Sequence, residues 1–228
     1  MHLLFDLDGT LTDTFPGITK CIQYALTCLG HSPPSAESLR WCIGPPLKSS
    51  LIALLGPLDA HRADEGMALY RERFSTAGLF ENRLYSDIEH TLDELKKCGH
   101  SLGVATSKPT VFAERIIDRF GLRGYFETID GSELDGTRSD KTLLIASILE
   151  REEIKRSSVV MIGDREHDMR GAYENGVAGL GVLWGYGTRE ELEDASAYAC
   201  AAAPSELATL INNNPNKPRH TTPTSPSV

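Results

Sequence analysis

The sequence predicts an α/β fold in which a doubly wound parallel sheet carries an inserted helical cap. From residue 102 to residue 183, short apolar runs alternate with amphipathic helical stretches, which is the pattern of a parallel sheet covered by helices on both faces. Residues 15–83 show helical spacing and no convincing strand. A chain of 228 residues is long enough to build a core domain and a smaller inserted one.

The N-terminal part begins with a strand and continues with helices. Residues 3–7 form a short apolar run that breaks at Gly9, as expected for a buried strand. The next stretch has helical spacing, with Pro16 suited to the first turn and Gly30 to the end. Further helices are predicted over residues 36–42, 47–55 and 60–77.

The C-terminal part alternates strands and helices. Ser86 and Glu89 have the spacing of a capping box, which would open the first helix after the insertion. Strands are predicted over residues 102–105, 126–129, 158–162 and 177–183, with an edge strand over 197–201. Helices are predicted over residues 109–120, 140–150 and 168–175, from residue 188, and over 205–211.

These elements divide the chain into three parts. We expect residues 1–14 and 85–211 to form an α/β core domain, and residues 15–84 to form a helical cap domain. Residues 212–228 are polar and proline-rich, so we expect a disordered tail.

Composition limits the partners and the compartment. The net charge of −9 argues against nucleic acid or an anionic membrane, and no run approaches the roughly 18 apolar residues of a membrane span. A small phosphorylated metabolite stays compatible, because one local cation can reverse the field of a site. The five cysteines are scattered without a CxxC pair, which is typical of reduced thiols in a cytoplasmic protein. Composition does not decide between a monomer and a homodimer, the two states that we expect.

Two acids follow the first strand. Asp6 and Asp8 are two residues apart, so in extended backbone they lie on the same side of the chain, at the sheet edge that binds ligands. Gly9 allows a tight turn with exposed N–H groups, and Thr10 adds a hydroxyl. Two carboxylates beside an apolar strand are costly to bury unless a cation lies between them. This cost favours a ligand site over ordinary turn-forming acids.

Two further sites carry hydroxyl and ammonium groups. Thr106 and Ser107 stand between a strand end and a helix start, where an O–H and N–H groups can contact a phosphate oxygen. Capping of the helix is the alternative role for Thr106. Lys141 begins a helix, where the helix dipole disfavours a cation. A nearby anion, such as a phosphate with its nucleophile, would explain this lysine, and a solvated side chain is the alternative.

A fourth site follows the strand over residues 158–162. The strand ends in Gly163 and Asp164, and Asp168 follows one helical turn later. Asp164 is placed to meet Asp6 and a metal, and Asp168 could bind the metal through water or orient other ligands. Four acids at one sheet edge favour a hard divalent cation, and Mg²⁺ fits best because it commonly binds one or two carboxylates together with substrate phosphate and water.

In order and spacing, these four sites resemble the four signatures of the haloacid dehalogenase-like hydrolase superfamily, over nearly the whole chain except the tail. The resemblance implies a Rossmann-like core with a four-helix cap after the first motif. It implies that Asp6 is a nucleophile that forms an aspartyl-phosphate, and that Asp8 is the acid and then the base. Thr106 and Lys141 would hold the phosphoryl oxygens. Mg²⁺ would be held by Asp6, the backbone carbonyl of Asp8, and Asp164, with Asp168 beside them. Further candidate substrate contacts are Gly9, Ser107, Lys108 and Arg138.

Other segments point to a branch of the superfamily. Residues 43–47, 105–109 and 185–187 resemble phosphoglycolate phosphatases, whereas 85–87, 131–138 and 163–168 are similar to relatives described as 5′-nucleotidases. Asp8 favours a phosphatase over a dehalogenase, because an alkoxide leaving group needs an acid. We therefore predict a Mg²⁺-dependent phosphatase that acts on a small phosphate monoester. The alternatives are a phosphomutase of the same superfamily and a catalytically idle binding or regulatory homologue.

Overall fold

The alternating apolar runs form parallel strands in the computed structural model, which describes residues 1–214. A six-stranded sheet has the order β5-β4-β1-β6-β7-β8, and β2 and β3 form a separate antiparallel pair. The strands are β1 (His2–Phe5), β2 (Thr12–Asp13), β3 (Arg83–Leu84), β4 (Ser101–Pro109), β5 (Thr128–Ser132), β6 (Val159–Gly163), β7 (Ala178–Val182) and β8 (Ala199–Ala201). The predicted doubly wound α/β fold is confirmed.

Nine α-helices are described within residues 1–214. Three of them lie between β2 and β3, in a stretch that we name the helical insertion (residues 14–82), and six accompany the sheet. They are α1 (Phe15–Cys28), α2 (Leu47–Asp59), α3 (Ala63–Thr76), α4 (Ile88–Lys97), α5 (Thr110–Arg119), α6 (Lys141–Arg151), α7 (Glu166–Glu174), α8 (Arg189–Asp194) and α9 (Leu207–Asn212).

The first strand holds the centre of the sheet. Leu3 of β1 lies opposite Leu102 of β4 and Val160 of β6. The pairing with β6 continues past the strand, because the backbone N–H of Asp6 donates to the Ile162 carbonyl at 2.9 Å. The residues that follow β1 and β6 therefore meet the C-terminal part of β4 at one edge, at the carboxyl ends of three neighbouring strands.

Side chains of β1 alternate between two apolar clusters. Phe5 packs in a large cluster that continues into the helical insertion, where Phe74 of α3 and Ile22 of α1 are buried. Leu4 points to the opposite face and packs in a second cluster with Ile145 of α6. Both faces of the sheet are thus covered, and the helical insertion shares the core of one face.

The helical insertion differs in detail from its prediction. Residues predicted as a helix over 36–42 form a 3₁₀ helix, Glu37–Cys42, and α2 is interrupted at Gly56, whose φ of 70° is left-handed and precedes Pro57. The antiparallel pair of β2 and β3 was not predicted, since two-residue strands are too short to show alternation. This pair places the entry and the exit of the insertion side by side.

The predicted capping box at the start of α4 is wrong. Asp87, not Ser86, occupies the N-cap position, and it forms no side-chain hydrogen bond to the helix. Its φ of 65° is left-handed, whereas a capping box needs an extended N-cap residue to aim its side chain at the first N–H groups. The helix consequently begins at Ile88.

The described chain ends just after α9. From residue 215 onward, the tail predicted to be disordered (212–228) lies outside the described residues. All five cysteines are free thiols. Within residues 1–214, every helix is too short or too polar to cross a lipid bilayer.

Shortening a buried side chain of the central sheet tests the burial described for β6. Ile162 of β6 is fully buried opposite Phe5, so Ile162→Ala should lower the free energy of unfolding by about 2–5 kcal/mol. Leu143→Ala removes three carbons at a site on α6 that is 63% exposed, and it should cost less than about 0.5 kcal/mol. Urea denaturation measures both, and equal losses would contradict the burial described for β6.

Candidate active site

A buried lysine joins two of the acids at the sheet edge. Lys141, the first residue of α6, places its ammonium 2.9 Å from Asp6 and 2.5 Å from Asp168, and donates to the Ala105 carbonyl at 2.7 Å. Burial by itself would lower the pKa of Lys141, but the carboxylates of Asp168 and Asp6 outweigh burial and raise it. The structure therefore excludes the solvated alternative for this lysine.

Three buried carboxylates converge beside Lys141. Oxygen atoms of Asp6, Asp164 and Asp168 lie within 4.8 Å of one another. With all three ionised and Lys141 protonated, the group carries two uncompensated negative charges. Burial and the charges of its two neighbours raise the pKa of Asp164 well above its usual value, and burial raises that of Asp168 to about 6. A hard divalent cation such as Mg²⁺ fits this set of oxygen ligands and its charge.

Asp164 is the acid of this group without a basic partner. Within residues 1–214 it forms no ion pair, and instead accepts hydrogen bonds from the Tyr186 N–H at 2.8 Å and the Thr10 hydroxyl at 3.3 Å. A Cβ atom added at Gly9 or Gly185 would overlap the Asp164 side chain, and the φ of Gly9 is +90°. Gly9 thus packs against a candidate metal ligand, and it does not line the cavity described next.

A cavity opens beside the acids, between the sheet edge and the helical insertion. The sheet edge contributes both N-terminal acids and the C-terminal part of β4, whereas the insertion contributes mainly apolar side chains. The core wall includes Asp6, Asp8, Thr106, Ser107 and Lys108. The opposite wall includes Pro45, Leu47, Met67, Tyr70, Arg71 and Phe74. The cavity can therefore bring a bound molecule into contact with Asp6 and with the insertion at once.

Asp8 pairs with a lysine of its own. The Lys108 ammonium lies 2.7 Å from the Asp8 carboxylate and 4.6 Å from the centre of the Phe74 ring. Burial raises the pKa of Asp8 more than Lys108 lowers it. Because Lys108 engages this side chain, Asp8 stands outside the three-carboxylate group, which leaves its backbone carbonyl for the metal contact implied by the resemblance.

The hydroxyls of Thr106 and Ser107, in the C-terminal part of β4, line the cavity and do not cap the next helix. Pro109 precedes α5, so the alternative role of Thr106 as a cap of that helix is wrong. The Thr106 hydroxyl instead accepts the backbone N–H of Lys108 at 3.3 Å. The Ser107 hydroxyl is buried without a hydrogen-bond partner in residues 1–214. Both hydroxyls are thus available to an oxyanion that enters the cavity.

Arg138 is not brought to the cavity with the other candidates. Its guanidinium pairs with Glu133, and its own φ of 64° is left-handed. Glu133 lines the cavity in its place. The sequence marks Arg138 only by its position in a polar loop, and such a loop can turn a side chain in any direction.

Two arginines that were not predicted connect the loops at the site. Arg165, next to Asp164, donates to the Ile43 carbonyl of the helical insertion and to Glu191 at 2.8 Å. Arg40 of the insertion donates to the Gly185 carbonyl at 3.2 Å. The sequence pattern does not specify how the helical insertion is oriented on the core, so it could not predict these two contacts.

Comparisons with known proteins agree on one family. The family model described as haloacid dehalogenase-like hydrolase matches residues 3–182. A 5′-nucleotidase of Pseudomonas aeruginosa is 48% identical over 191 residues, which cover 84% of this chain and 86% of that protein. The crystal structure of a predicted phosphatase from Clostridium acetobutylicum is 42% identical, with a TM-score of 0.89 over 93% of this chain and 98% of that one.

More distant relatives carry other names. The tyrosine-protein kinase PtkA of Mycobacterium tuberculosis is 36% identical over 85% of this chain and 66% of its own length. A phosphoglycolate phosphatase of Vibrio parahaemolyticus is 26% identical over 92% of this chain and 95% of that protein. The resemblance inferred from the motifs, including both branches, is confirmed.

Asp164→Asn tests the fit of a divalent cation to the acids. In EDTA we expect the variant to melt at a higher temperature than the wild type, because a buried charge without a basic partner is removed. Mg²⁺ at about 100 times its Kd should raise the wild-type melting temperature by roughly 5–10 °C, and that of the variant much less. Asp118→Asn, an exposed change of equal charge, is the control. An equal response of Asp164→Asn and the wild type to Mg²⁺ would exclude Asp164 as a ligand.

Proposed function

Since this chain belongs to the haloacid dehalogenase-like hydrolase family, as one of its phosphatases, we propose that it hydrolyses a small phosphate monoester with Mg²⁺ through an aspartyl-phosphate on Asp6. One observation carries the proposal. Asp6 lies at the meeting point of the three-carboxylate group, the Lys141 ammonium and the cavity. A candidate nucleophile, a positive charge and space for a substrate therefore lie at one place.

The first half-reaction transfers the phosphoryl group to the protein. A carboxylate oxygen of Asp6 attacks the phosphorus while the bond to the leaving oxygen breaks, and Asp8 gives its proton to that oxygen. Thr106, Ser107 and Lys141 hold the phosphoryl oxygens. Asp6, the backbone carbonyl of Asp8 and Asp164, with Asp168 beside them, would hold Mg²⁺, which would supply positive charge against the negative charge of the transferring group.

The second half-reaction returns Asp6 to its starting state. Asp8, now a carboxylate, takes a proton from water, and the water oxygen forms the new bond to phosphorus as the bond to Asp6 breaks. Inorganic phosphate leaves. Lys108 supports this exchange because its ammonium holds the Asp8 side chain at 2.7 Å, in a fixed orientation beside the cavity.

We extend the proposal to the organisation of the chain. Residues 15–84, which comprise the helices of the insertion and β3, act as a cap over a core of residues 1–14 and 85–211, because the insertion supplies one wall of the cavity. The substrate is a 5′-nucleotide or a phosphoglycolate-like ester, in line with the names of the relatives. The cytoplasmic location and the oligomeric state, a monomer or a homodimer, are predictions from the sequence.

A substrate panel tests the proposal. Phosphate release should be measured with 5′-nucleotides, phosphoglycolate, sugar phosphates and a phosphotyrosine peptide, each with Mg²⁺ and with EDTA. We expect one preferred substrate and loss of turnover in EDTA. Movement of phosphate between positions of a sugar would indicate the phosphomutase instead. A folded protein that binds Mg²⁺ and is silent across the panel would indicate the idle homologue.

Asp6→Asn should lower kcat by about 10³-fold or more, because an amide oxygen is a poor nucleophile. Circular dichroism and the melting temperature should show an intact fold. Asp118→Asn again controls for the loss of one carboxylate. A folded Asp6→Asn variant with near-normal turnover would rule out the covalent mechanism.

Asp8→Asn separates the roles of this acid. With p-nitrophenyl phosphate, whose leaving group needs no proton, we expect a burst of about one equivalent of nitrophenolate and then slow turnover, because the aspartyl-phosphate is no longer hydrolysed quickly. With an alkyl phosphate the burst should disappear and kcat should fall by about 10²- to 10⁴-fold. Stopped-flow absorbance of nitrophenolate and a rapid-quench assay of the released alcohol measure the two cases. A burst of equal rate with both substrates would contradict the proton transfer assigned to Asp8.

A further inference from the structure

Arg71 is a cation in the cavity without an acidic partner. It lies on α3, in the wall that the helical insertion contributes, and its side chain is half-buried. Within residues 1–214, its guanidinium forms no hydrogen bond and no ion pair with a carboxylate. Burial lowers the pKa of Arg71 more than the distant carboxylates of Asp135 and Asp64 raise it.

The other cavity-lining cations are already neutralised. Lys48 pairs with Asp64 at 2.7 Å, and Lys108 pairs with Asp8 at 2.7 Å. The acids that Arg71 senses at longer range are also engaged, since one is Asp64 and the other is Asp135, which accepts the Thr137 N–H at 2.8 Å.

Arg71 also lies on the wall opposite the phosphoryl site. Asp6, Thr106 and Ser107 belong to the core wall, whereas Arg71 stands next to Tyr70 on the insertion wall. A phosphate ester bound with its phosphorus at Asp6 directs its leaving group away from the core, toward the insertion. Arginine has five N–H donors and no acceptor, so what it can bind there is an oxygen or nitrogen acceptor or an anion.

We propose that Arg71 determines substrate specificity by donating hydrogen bonds to an oxygen acceptor on the leaving group. This inference rests on the proposed phosphatase function and names the chemistry of the group that departs. Two sources share that chemistry, the carboxylate of a short acid ester such as phosphoglycolate and the carbonyl of a nucleobase in a 5′-nucleotide. The structure thereby separates phosphoryl recognition, on the core, from leaving-group recognition, on α3.

Arg71→Leu, Arg71→Lys and the control Arg156→Leu, which removes an exposed arginine outside the cavity, test the proposal with three substrates. Phosphoglycolate carries a carboxylate, uridine 5′-monophosphate carries base carbonyls, and ethyl phosphate carries no acceptor beyond its phosphate. For the better of the first two substrates, Arg71→Leu should lower kcat/KM by about 10- to 100-fold, mainly through KM. The kcat/KM for ethyl phosphate should change less than about 2-fold in Arg71→Leu. Arg156→Leu should match the wild type on all three substrates, because its side chain is exposed and lies outside the cavity.

Arg71→Lys distinguishes the two sources. A lysine keeps the positive charge, which pairs with the carboxylate of phosphoglycolate but contributes less at a neutral base carbonyl, so Arg71→Lys should retain a larger share of the activity on phosphoglycolate than on uridine 5′-monophosphate. Equal loss of all three substrates in Arg71→Leu would overturn the proposal and assign Arg71 a structural role. No loss on any substrate would overturn it as well. If Arg71→Leu melts at a lower temperature than the wild type, the kinetic measurements are repeated with Arg71→Gln, which keeps a donor and most of the side-chain volume.

Binding keeps the inference separate from the phosphatase assignment. If the wild type hydrolyses ethyl phosphate but Arg71→Leu shows no selective loss, the phosphatase function stands and the role of Arg71 fails. If the wild type hydrolyses none of the three and is also silent across the substrate panel described above, the phosphatase function fails. Calorimetry with phosphonoacetate and uridine 5′-monophosphate then decides the role of Arg71, with about 10-fold weaker binding to Arg71→Leu supporting it and unchanged binding overturning it.

Discussion

Three carboxylates buried within 4.8 Å of one another are the constraint on which the rest of this structure depends. Such a group is stable only where positive charge reaches it. This requirement explains Lys141 in the first turn of α6, a position that the helix dipole alone disfavours. It also explains why Gly9 and Gly185 surround Asp164, since larger residues would occupy the space that the carboxylate needs. The parallel sheet satisfies the constraint by bringing three strand ends to one edge.

The sequence allowed prediction of the parts of the site that sit on regular elements. Asp6, Lys141 and Asp164 follow or begin elements with clear apolar periodicity, and the topology of a parallel sheet then dictates that they meet. Periodicity fails where geometry depends on single dihedral angles or on packing between layers. Arg138 turns away at a φ of 64°, and Asp87 replaces the expected capping box for the same reason. The roles of Arg71 and Arg165 depend on the orientation of the helical insertion, which helical spacing does not specify.

The site consists of two walls that meet through few direct polar contacts. Arg165 extends from the loop that carries Asp164 to the Ile43 carbonyl, and Arg40 extends in the opposite direction to the Gly185 carbonyl. Ile43 precedes the segment Gly44–Lys48, which lines the cavity, so the position of that segment is tied to the loops around the acids. Lys108 adds a third tie, because its ammonium contacts Asp8 on one side and the Phe74 ring on the other. Lys108 and the two arginines therefore link the charged groups of the core to the position of the apolar wall.

The antiparallel pair of β2 and β3 has a consequence for how such an enzyme diversifies. Thr12 pairs with Leu84 and Asp13 with Arg83, so the insertion leaves and rejoins the core at adjacent positions. A segment whose two ends are neighbours can be exchanged for one of another length without altering the spacing of the strands that it interrupts. Recombination at this junction could replace the insertion wall of the cavity while the three-carboxylate group stays unchanged. An exchange of the insertion at this junction would leave Asp6, Asp164 and Asp168 at their positions on the sheet edge.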